Sequence, residues 1–395
     1  MPEVVNRVAP RVAFMVPHLR NRSGWSSLSR GVIRSMCGLV DPYVYVGQHD
    51  ADAARLSFPD LPVTILPELQ QMSLNSERSL PKIVATYLRV MTSAVQVDLV
   101  HSLEAYPTGL VGSWLSRRTG APHIITTAGT YGVVWRESRP DAWAYRRVLR
   151  EAAFLCPISH GTQAMVQRYF GEFLERTRQQ VVLLGSDCCT RVPRGSALNR
   201  SQPIVPTVLS VGALKSRKGY HVSLQAFAKV RAKLPSARYW IVGSAENAEY
   251  VRRLERLIVQ ERIEGVQLLG AVSEDELHRR YQEASLFLLT PQLEGLHFEG
   301  FGLVYVEAGA HGLPVVGAFT GGVPDAVQDG VTGLLRHPGD IDGIAEDIIR
   351  LLTDAELSRR MGQANREWAE TLTWERFARQ QFAVYQEVWP SPRGL

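Results

Sequence analysis

The chain has 395 residues, too many for one ordinary hydrophobic core, so two domains are expected. Hydrophobic residues make up 45% and charged residues 21%, which excludes a disordered or fibrous polypeptide. The net charge of +5 is uneven: residues 1–200 carry 23 Lys/Arg against 15 Asp/Glu, and the remainder 21 against 24. A basic N-terminal half fits an acidic acceptor or an anionic membrane surface; a scattered, solvated arginine surface is the competing reading. No apolar run reaches the roughly 18 residues that span a bilayer. The opening residues Pro2, Glu3, Asn6 and Arg7, with a short apolar run at 12–16, do not read as a secretory signal, so a cytoplasmic protein is expected. Cys37, Cys156, Cys188 and Cys189 show no metal or redox spacing and read as reduced, structural thiols.

Along the chain, residues 12–16 read as a first buried strand, followed by a helix over 27–39 that begins beyond Gly24. Further short apolar strands fall at 43–46, 63–66, 99–101 and 123–127. Between the last two, residues 108–119 have helical periodicity and stop at Gly120-Ala-Pro122. Strand, helix, strand at this spacing means βαβ units and a parallel sheet. Residues 191–206, with Pro193, Gly195, Pro203 and Pro206, have linker composition. The pattern then restarts with strands at 207–211, 239–242, 266–269, 286–289 and 315–316, and a helix over 220–232. The fold class is α/β: two tandem Rossmann-like, doubly wound domains facing a central cleft, with ligands at the carboxyl ends of the strands. The divisions are an N-terminal domain at 1–195, a C-terminal domain at 204–371, and a last helix within 372–395.

The segment Glu299-Gly-Phe-Gly-Leu-Val-Tyr-Val-Glu307 is the most informative. Gly300 and Gly302 make a loop whose backbone can approach a ligand, and a helix over 303–311 follows, ended by Gly312 and Pro314. A glycine loop opening a helix offers amide groups and the positive end of a dipole, which suits a diphosphate. On a helix rising ~1.5 Å per residue, Glu299 and Glu307 would stand on the order of 12 Å apart. Hydrolytic carboxylate pairs sit closer, at roughly 5–9.5 Å. The spacing suits an elongated ligand with a sugar at Glu299 and a ribose at Glu307.

Two further elements accompany it. Gly212-Ala-Leu-Lys215-Ser-Arg-Lys218-Gly219 lies between a strand and a helix, where cations can neutralise a diphosphate leaving group. It is not a Walker A loop. Gly321-Gly322-Val-Pro324-Asp325 reads as a tight turn ahead of a short helix.

Together these residues resemble the family 4 glycosyltransferases, whose fold is called GT-B. The likeness is strongest over 207–340, where the Glu299-to-Glu307 motif, Lys218-Gly219, and Gly321-Gly322-Val-Pro324 followed by Asp329-Gly330 and Gly333 stand in the family's order. Asp98 to His101, Ser159, Gly185 to Asp187, and Trp374 through Tyr385 look like its other landmarks, and the last helix typically crosses back onto the first domain. The resemblance implies retaining transfer of a hexosyl group from a nucleotide-diphosphate sugar to an acceptor hydroxyl. In that scheme Glu299 contacts the donor sugar and Glu307 the ribose. Phe301, Gly302 and Lys218 hold the diphosphate, and Gly24, Gly212, Lys215, Gly300 and Leu303 complete the donor site. No cofactor and no metal are implied, and a UDP-sugar is placed ahead of a GDP-sugar. Asp50 and Asp52 have Asp-x-Asp spacing but read as a polar loop far from the other motifs.

Three departures from the family pattern stand out. Ala213 replaces the usual arginine, with Lys215 in reach of the same phosphate; Ser23-Gly24-Trp25 replaces Gly-Gly; Ala128-Gly129 replaces His-Gly. Thr130, Tyr131 and His101 are the acceptor-side candidates, with a satisfied core histidine as the other reading of His101. Trp135, Trp143 and Tyr145 interleave with Arg136, Arg139, Arg146, Arg147 and Arg150. That stretch reads either as a peripheral contact with the inner face of a membrane, admitting a lipid-linked acceptor, or as an ordinary amphipathic helix. A carbohydrate or small-molecule acceptor is equally open, and nucleic acid is a poor fit. A same-fold epimerase or phosphorylase, and a non-catalytic sugar-nucleotide-binding subunit, are the competing functions.

Overall fold

The computed structural model describes residues 9–20, 24–69, 72–74, 76–134, 139–187, 192 and 205–389. Most of the linker, Cys188, Cys189, Trp135, Arg136, Ser23 and the first eight residues lie outside the described residues. The chain divides into two compact units: Met1–Gly185 with Trp374–Leu395, and Ser186–Thr373.

The first unit is a seven-stranded parallel sheet in the order β3-β2-β1-β4-β5-β6-β7. Its strands are β1 (Arg11–Met15), β2 (Asp41–Gly47), β3 (Val63–Leu66), β4 (Leu99–Ser102), β5 (His123–Thr127), β6 (Phe154–Pro157) and β7 (Arg178–Gln179). Strands β4, β5 and β6 are buried along their whole length, which is why they read as continuous apolar runs rather than alternating ones. The connecting helices are α1 (Gly24–Met36), α2 (Ala51–Ser57), α3 (Leu80–Met91), α4 (Thr108–Thr119), α5 (Arg139–Glu151) and α6 (His160–Phe170). Strand order reverses between β1 and β4, the switch point where doubly wound sheets open a crevice.

The C-terminal helix Trp374–Val388 belongs to this first unit and packs on α1. Its opening Trp374 lies against the backbone of Gly31 and Gly185; a Cβ on Gly31 would stand 1.9 Å from the indole. Tyr385 of the same helix hydrogen-bonds His101 of β4 at 2.6 Å. Trp374 thus fills the space that the missing side chains of Gly31 and Gly185 leave.

The second unit is a six-stranded parallel sheet in the order β10-β9-β8-β11-β12-β13. It contains β8 (Thr207–Val211), β9 (Arg238–Val242), β10 (Val266–Gly270), β11 (Leu286–Leu289), β12 (Val315–Ala318) and β13 (Gly333–Arg336). Its helices are α7 (Tyr220–Lys233), α8 (Ala248–Gln260), α9 (Glu274–Glu283), α10 (Leu303–Ala310), the single turn α11 (Val323–Ala326), α12 (Ile341–Thr353) and α13 (Ala355–Thr371). Here the order reverses between β8 and β11. The loops leaving those two strands therefore flank one switch point, although about eighty residues separate them in sequence.

Asp50 and Asp52 do not lie in a polar loop. Asp50 ends a 3-10 turn and is buried, its carboxylate accepting from the Leu19 amide at 3.1 Å and the Arg20 amide at 2.7 Å; Asp52 belongs to α2. Asp50 thus pins the loop after β1. Among the described residues, no three His, Cys, Asp or Glu side chains gather as metal ligands, and no helix is long and apolar enough to cross a membrane.

Candidate functional site

At the switch point of the second unit, the loop after β8 forms a 3-10 turn at Ser216–Lys218. Gly219 closes it in the left-handed region, φ +73°, and a Cβ there would sit 1.7 Å from the Thr290 carbonyl oxygen. Only glycine lets the Lys218 backbone pass this close to the end of β11. Three contacts hold the turn to the loop after β11. The Gln292 amide donates to the Arg217 carbonyl at 2.8 Å, the Thr290 hydroxyl to the Gly219 carbonyl at 2.8 Å, and the Ser216 hydroxyl to Glu294 at 2.5 Å.

That stitching brings Lys218 and Glu299 together. The Lys218 ammonium donates to Glu299 Oε2 at 2.6 Å, and the Arg217 guanidinium donates to the same oxygen at 3.1 Å. Lys218 and Glu299 are each buried to about nine-tenths. Burial alone would raise the Glu299 carboxyl; the charges and hydrogen bonds of Lys218 and Arg217 outweigh it and hold the group below its ordinary value. A buried carboxylate and two cations thus form one compact ionic cluster, with its charge sites preorganised before any ligand arrives.

Glu299 lies in the loop ahead of α10, so the helical separation expected between it and Glu307 does not apply; only Glu307 is on the helix. The Gly322 amide donates to the Glu299 carbonyl at 2.8 Å, so the Gly321-Gly322 turn buttresses the backbone of this glutamate. Gly302 caps α10 in the left-handed region, φ +91°, where a Cβ would strike the Tyr305 ring at 2.6 Å. Tyr305 is fully buried beneath the loop and donates to the Leu289 carbonyl at 2.8 Å. Phe301 is buried, while Gly300 and Leu303 are half-buried at the mouth of the helix. The Gly212 carbonyl accepts from the Tyr220 hydroxyl at 2.6 Å.

Glu307 is half-buried on α10 and its Oε2 accepts from the Tyr281 hydroxyl of α9 at 3.0 Å. The Tyr281 ring stacks on His311 with centroids 4.8 Å apart and planes 15° from parallel, and His311 hydrogen-bonds His278 at 2.8 Å. Lys215 points elsewhere: it is paired with Glu246 at 2.7 Å, and that hydrogen bond chiefly holds Glu246 below its ordinary value.

The first unit places its candidates differently. His101 is fully buried, with Tyr385 at 2.6 Å on one ring nitrogen and Thr126 at 2.9 Å on the other. Burial, with His123 nearby, holds it down to about 3. It is a satisfied core histidine rather than part of a ligand-facing wall. Thr130 is buried and Tyr131 exposed in a 3-10 turn after β5. The Tyr131 ring meets Trp25 edge-on at 5.3 Å, and Trp25 meets His18 at 6.4 Å, beside Gly24 at the start of α1. The structure thus gathers Tyr131 and Gly24 at the carboxyl end of the sheet and leaves His101 in the core.

Sequence reasoning missed Arg217 and Tyr281. Arg217 was visible as the residue before Lys218, but nothing in the spacing said its side chain turns toward Glu299. Tyr281 carries no motif; only the tertiary pairing of α9 with α10 reveals it.

Two family models match the chain. The model described as glycosyl transferases group 1 covers residues 199–368, and the one described as glycosyl transferase 4-like domain covers 30–185. Among the relatives is the GDP-mannose-dependent alpha-(1-6)-phosphatidylinositol monomannoside mannosyltransferase of Mycolicibacterium smegmatis. It is 28% identical over 294 residues, 72% of this chain and 75% of the relative. Sulfoquinovosyl transferase SQD2 of Arabidopsis thaliana is 35% identical over 182 residues, 45% of this chain and 32% of that one. Among solved structures, sucrose-phosphate synthase from Thermosynechococcus elongatus superposes with a TM-score of 0.73 at 21% identity, over 96% of this chain and 98% of that one. Anabaena HepE in complex with UDP-glucose gives 0.74 at 19%, over 96% and 99%. These likenesses show the GT-B fold. The two family matches leave unmatched only a short linker and the chain ends, and the chain belongs to the family 4 glycosyltransferases.

Proposed function

We propose that this glycosyltransferase moves a hexosyl group from a nucleotide-diphosphate sugar to an acceptor hydroxyl, with retention at the anomeric carbon and without a metal. The observation that carries the reading is the convergence of Lys218 and Arg217 on one oxygen of Glu299 beside the glycine-capped start of α10. Two cations and a helix N-terminus supply the positive charge a departing diphosphate needs, and a buried carboxylate accepts sugar hydroxyls. The bond between the anomeric carbon and the diphosphate oxygen breaks, its electron pair leaving with the phosphate. The acceptor oxygen bonds to the anomeric carbon on the same face, and its proton passes to the departing phosphate. Lys218 and Arg217 stabilise the charge that develops. Glu307, fixed by Tyr281, takes the ribose hydroxyls.

The named relatives point to both uracil and guanine donors: the mycobacterial relative is GDP-mannose-dependent, and HepE is seen with UDP-glucose. We place a UDP-sugar first. The acceptor is a carbohydrate, lipid-linked or small-molecule hydroxyl. We place the reaction in the cytoplasm with peripheral contact at the inner membrane face, which the basic N-terminal half supports.

Differential scanning fluorimetry with UDP, GDP, ADP and TDP, and then the matching sugar nucleotides, tests the donor. A ligand that binds only the folded chain raises its melting temperature in proportion to the logarithm of its excess over Kd. One base-selective shift supports the reading, and no shift with any of them overturns it. Turnover undiminished by a chelator and an α-linked product from an α-linked donor test the metal and stereochemical parts.

A further inference from the structure

Helix α3 has two apolar faces. Ile83, Thr86 and Val90 are buried, and Ile83 and Val90 join the core with Met15, Val100, Val111 and Leu115. A helix packed on a sheet needs only that one stripe. Yet Leu80, Val84, Tyr87, Leu88 and Met91 form a second one, and all five are exposed, Val84 and Leu88 more than half (55% and 54%). At 3.6 residues per turn these five fall on a strip roughly 100° wide. Single exposed apolar side chains are ordinary; five in register on one helix are not.

The charge around this strip is one-sided. Helix α3 packs on α4 and α4 on α5, so the three form one layer over the first sheet. Tyr87 of the strip meets Trp114 of α4 edge-on at 5.2 Å. The layer carries eight cations: Lys82, Arg89, Arg117, Arg118, Arg139, Arg146, Arg147 and Arg150. It carries two carboxylates, of which Asp141 is buried and Glu151 is bound by Arg117 and Arg147. On α5, Trp143 is exposed beneath Arg147, and Arg146 and Arg150 lie over the Phe173 ring at 5.1 and 4.6 Å. The depression these side chains line has a volume of about 440 Å³, open enough for a phosphate headgroup.

We infer that the outer surface of the α3–α4–α5 layer docks on an anionic lipid bilayer, with the α3 strip entering the acyl boundary and the α5 arginines holding headgroup phosphates. Exposed aliphatic side chains gain from the bilayer interface, and three helices with eight cations against one exposed, paired carboxylate complement a continuous negative surface, with Glu77 and Glu172 among the exposed carboxylates of the flanking turns. The Glu68–Lys82 pair ties the start of the helix to the loop after β3, so the strip is presented by a fixed helix. The inference deepens and rests on the peripheral contact proposed above. It moves the inserting element from the arginine stretch to α3, which sequence reading passed over.

Sedimentation of the full chain with vesicles of phosphatidylcholine alone, or with about one-third phosphatidylglycerol, tests it without donor or acceptor, so its failure leaves the transferase reading standing. The chain is expected to sediment with the anionic vesicles at low salt and not with the zwitterionic ones, and to be released near 1 M salt, where the screening length falls to about 3 Å. Val84→Glu with Leu88→Glu lowers the bound fraction by about tenfold or more while the melting temperature holds, both positions being exposed. If that pair melts early, Val84→Ser with Leu88→Ser replaces it. Arg146→Ala, Arg147→Ala and Arg150→Ala together flatten the salt dependence. No sedimentation with anionic vesicles at low salt overturns the inference. So does salt-sensitive binding that the α3 variants leave unchanged, because charge alone would then explain it.

Discussion

Lys218 and Glu299, eighty-one positions apart, are joined by a 2.6 Å hydrogen bond at the switch point of the second sheet, and Arg217 shares the same carboxylate oxygen. In the proposed reaction this cluster supplies both the charge that stabilises the leaving diphosphate and the carboxylate that meets the sugar. Lys218→Ala is expected to lower turnover by roughly a hundredfold or more, since one such contact contributes about 2.7–4 kcal/mol. Arg217 remains on Glu299, so the fold persists by circular dichroism. Turnover near the wild-type value would make the pair a structural ion pair only.

In the proposed reaction Arg217, which reaches Glu299 beside Lys218, supplies the phosphate-side cation that Ala213 does not. Arg217→Ala should lower kcat/KM by at least about tenfold, whereas Lys215→Ala, which loses only a half-exposed pair with Glu246, should leave it nearly unchanged. Adding Ala213→Arg to Arg217→Ala should recover activity. Initial-rate kinetics of the three variants decide the order, and equal losses at 215 and 217 contradict it.

Tyr281→Phe removes the hydroxyl that fixes Glu307 and leaves the ring stacked on His311. A neutral donor to a carboxylate contributes on the order of 1 kcal/mol, so donor KM should rise about fivefold with kcat little changed. A fall confined to kcat would place Tyr281 in the reaction itself.

Glu104 is buried at the carboxyl end of the first sheet, and burial holds its carboxyl well above the ordinary 4.5. A carboxyl raised in the fold contributes stability that is whole below the ordinary value and is lost as pH rises through the folded one. The loss is about 1.4 kcal/mol for each pH unit of that window. Glu104→Gln keeps the neutral shape, so its melting temperature should exceed wild type at pH 8 and match it by pH 4. A difference independent of pH would remove ionisation as the cause.

His101 works in the opposite sense. Held down to about 3 in the fold, it contributes stability above the ordinary 6.5 that is lost as pH falls toward 3. Tyr385→Phe strips a partner from a buried ring nitrogen and should cost about 1–3 kcal/mol by urea unfolding. An unchanged midpoint would mean the ring finds another partner.

Strands at 63–66, 123–127, 207–211 and 286–289 were legible because a buried parallel strand is a short apolar run bounded by turn residues. Helix 108–119 was legible because Gly120-Ala-Pro122 ends it. Helix α3 was not, because two apolar faces erase the 3.6-residue alternation. Strand β6, only four residues ending in proline, gave too little pattern to separate from a loop. In the donor region the glycines and Glu299 stood out, since backbone geometry restricts residue type there. The partners of Glu299 follow from which strands are neighbours and that of Glu307 from which helices are, and no local spacing records either.

The C-terminal helix completes a unit whose other residues end at Gly185. During synthesis, Gly31 and Gly185 are exposed long before Trp374 exists to cover them. At about 5–20 residues per second, the interval from Gly185 to Trp374 is on the order of 10–40 s, in which the second unit is translated while the first waits with an open apolar side. The order of maturation is thus the reverse of the order of translation, and a chain stopped before residue 374 would hold a complete second unit and an unfinished first one.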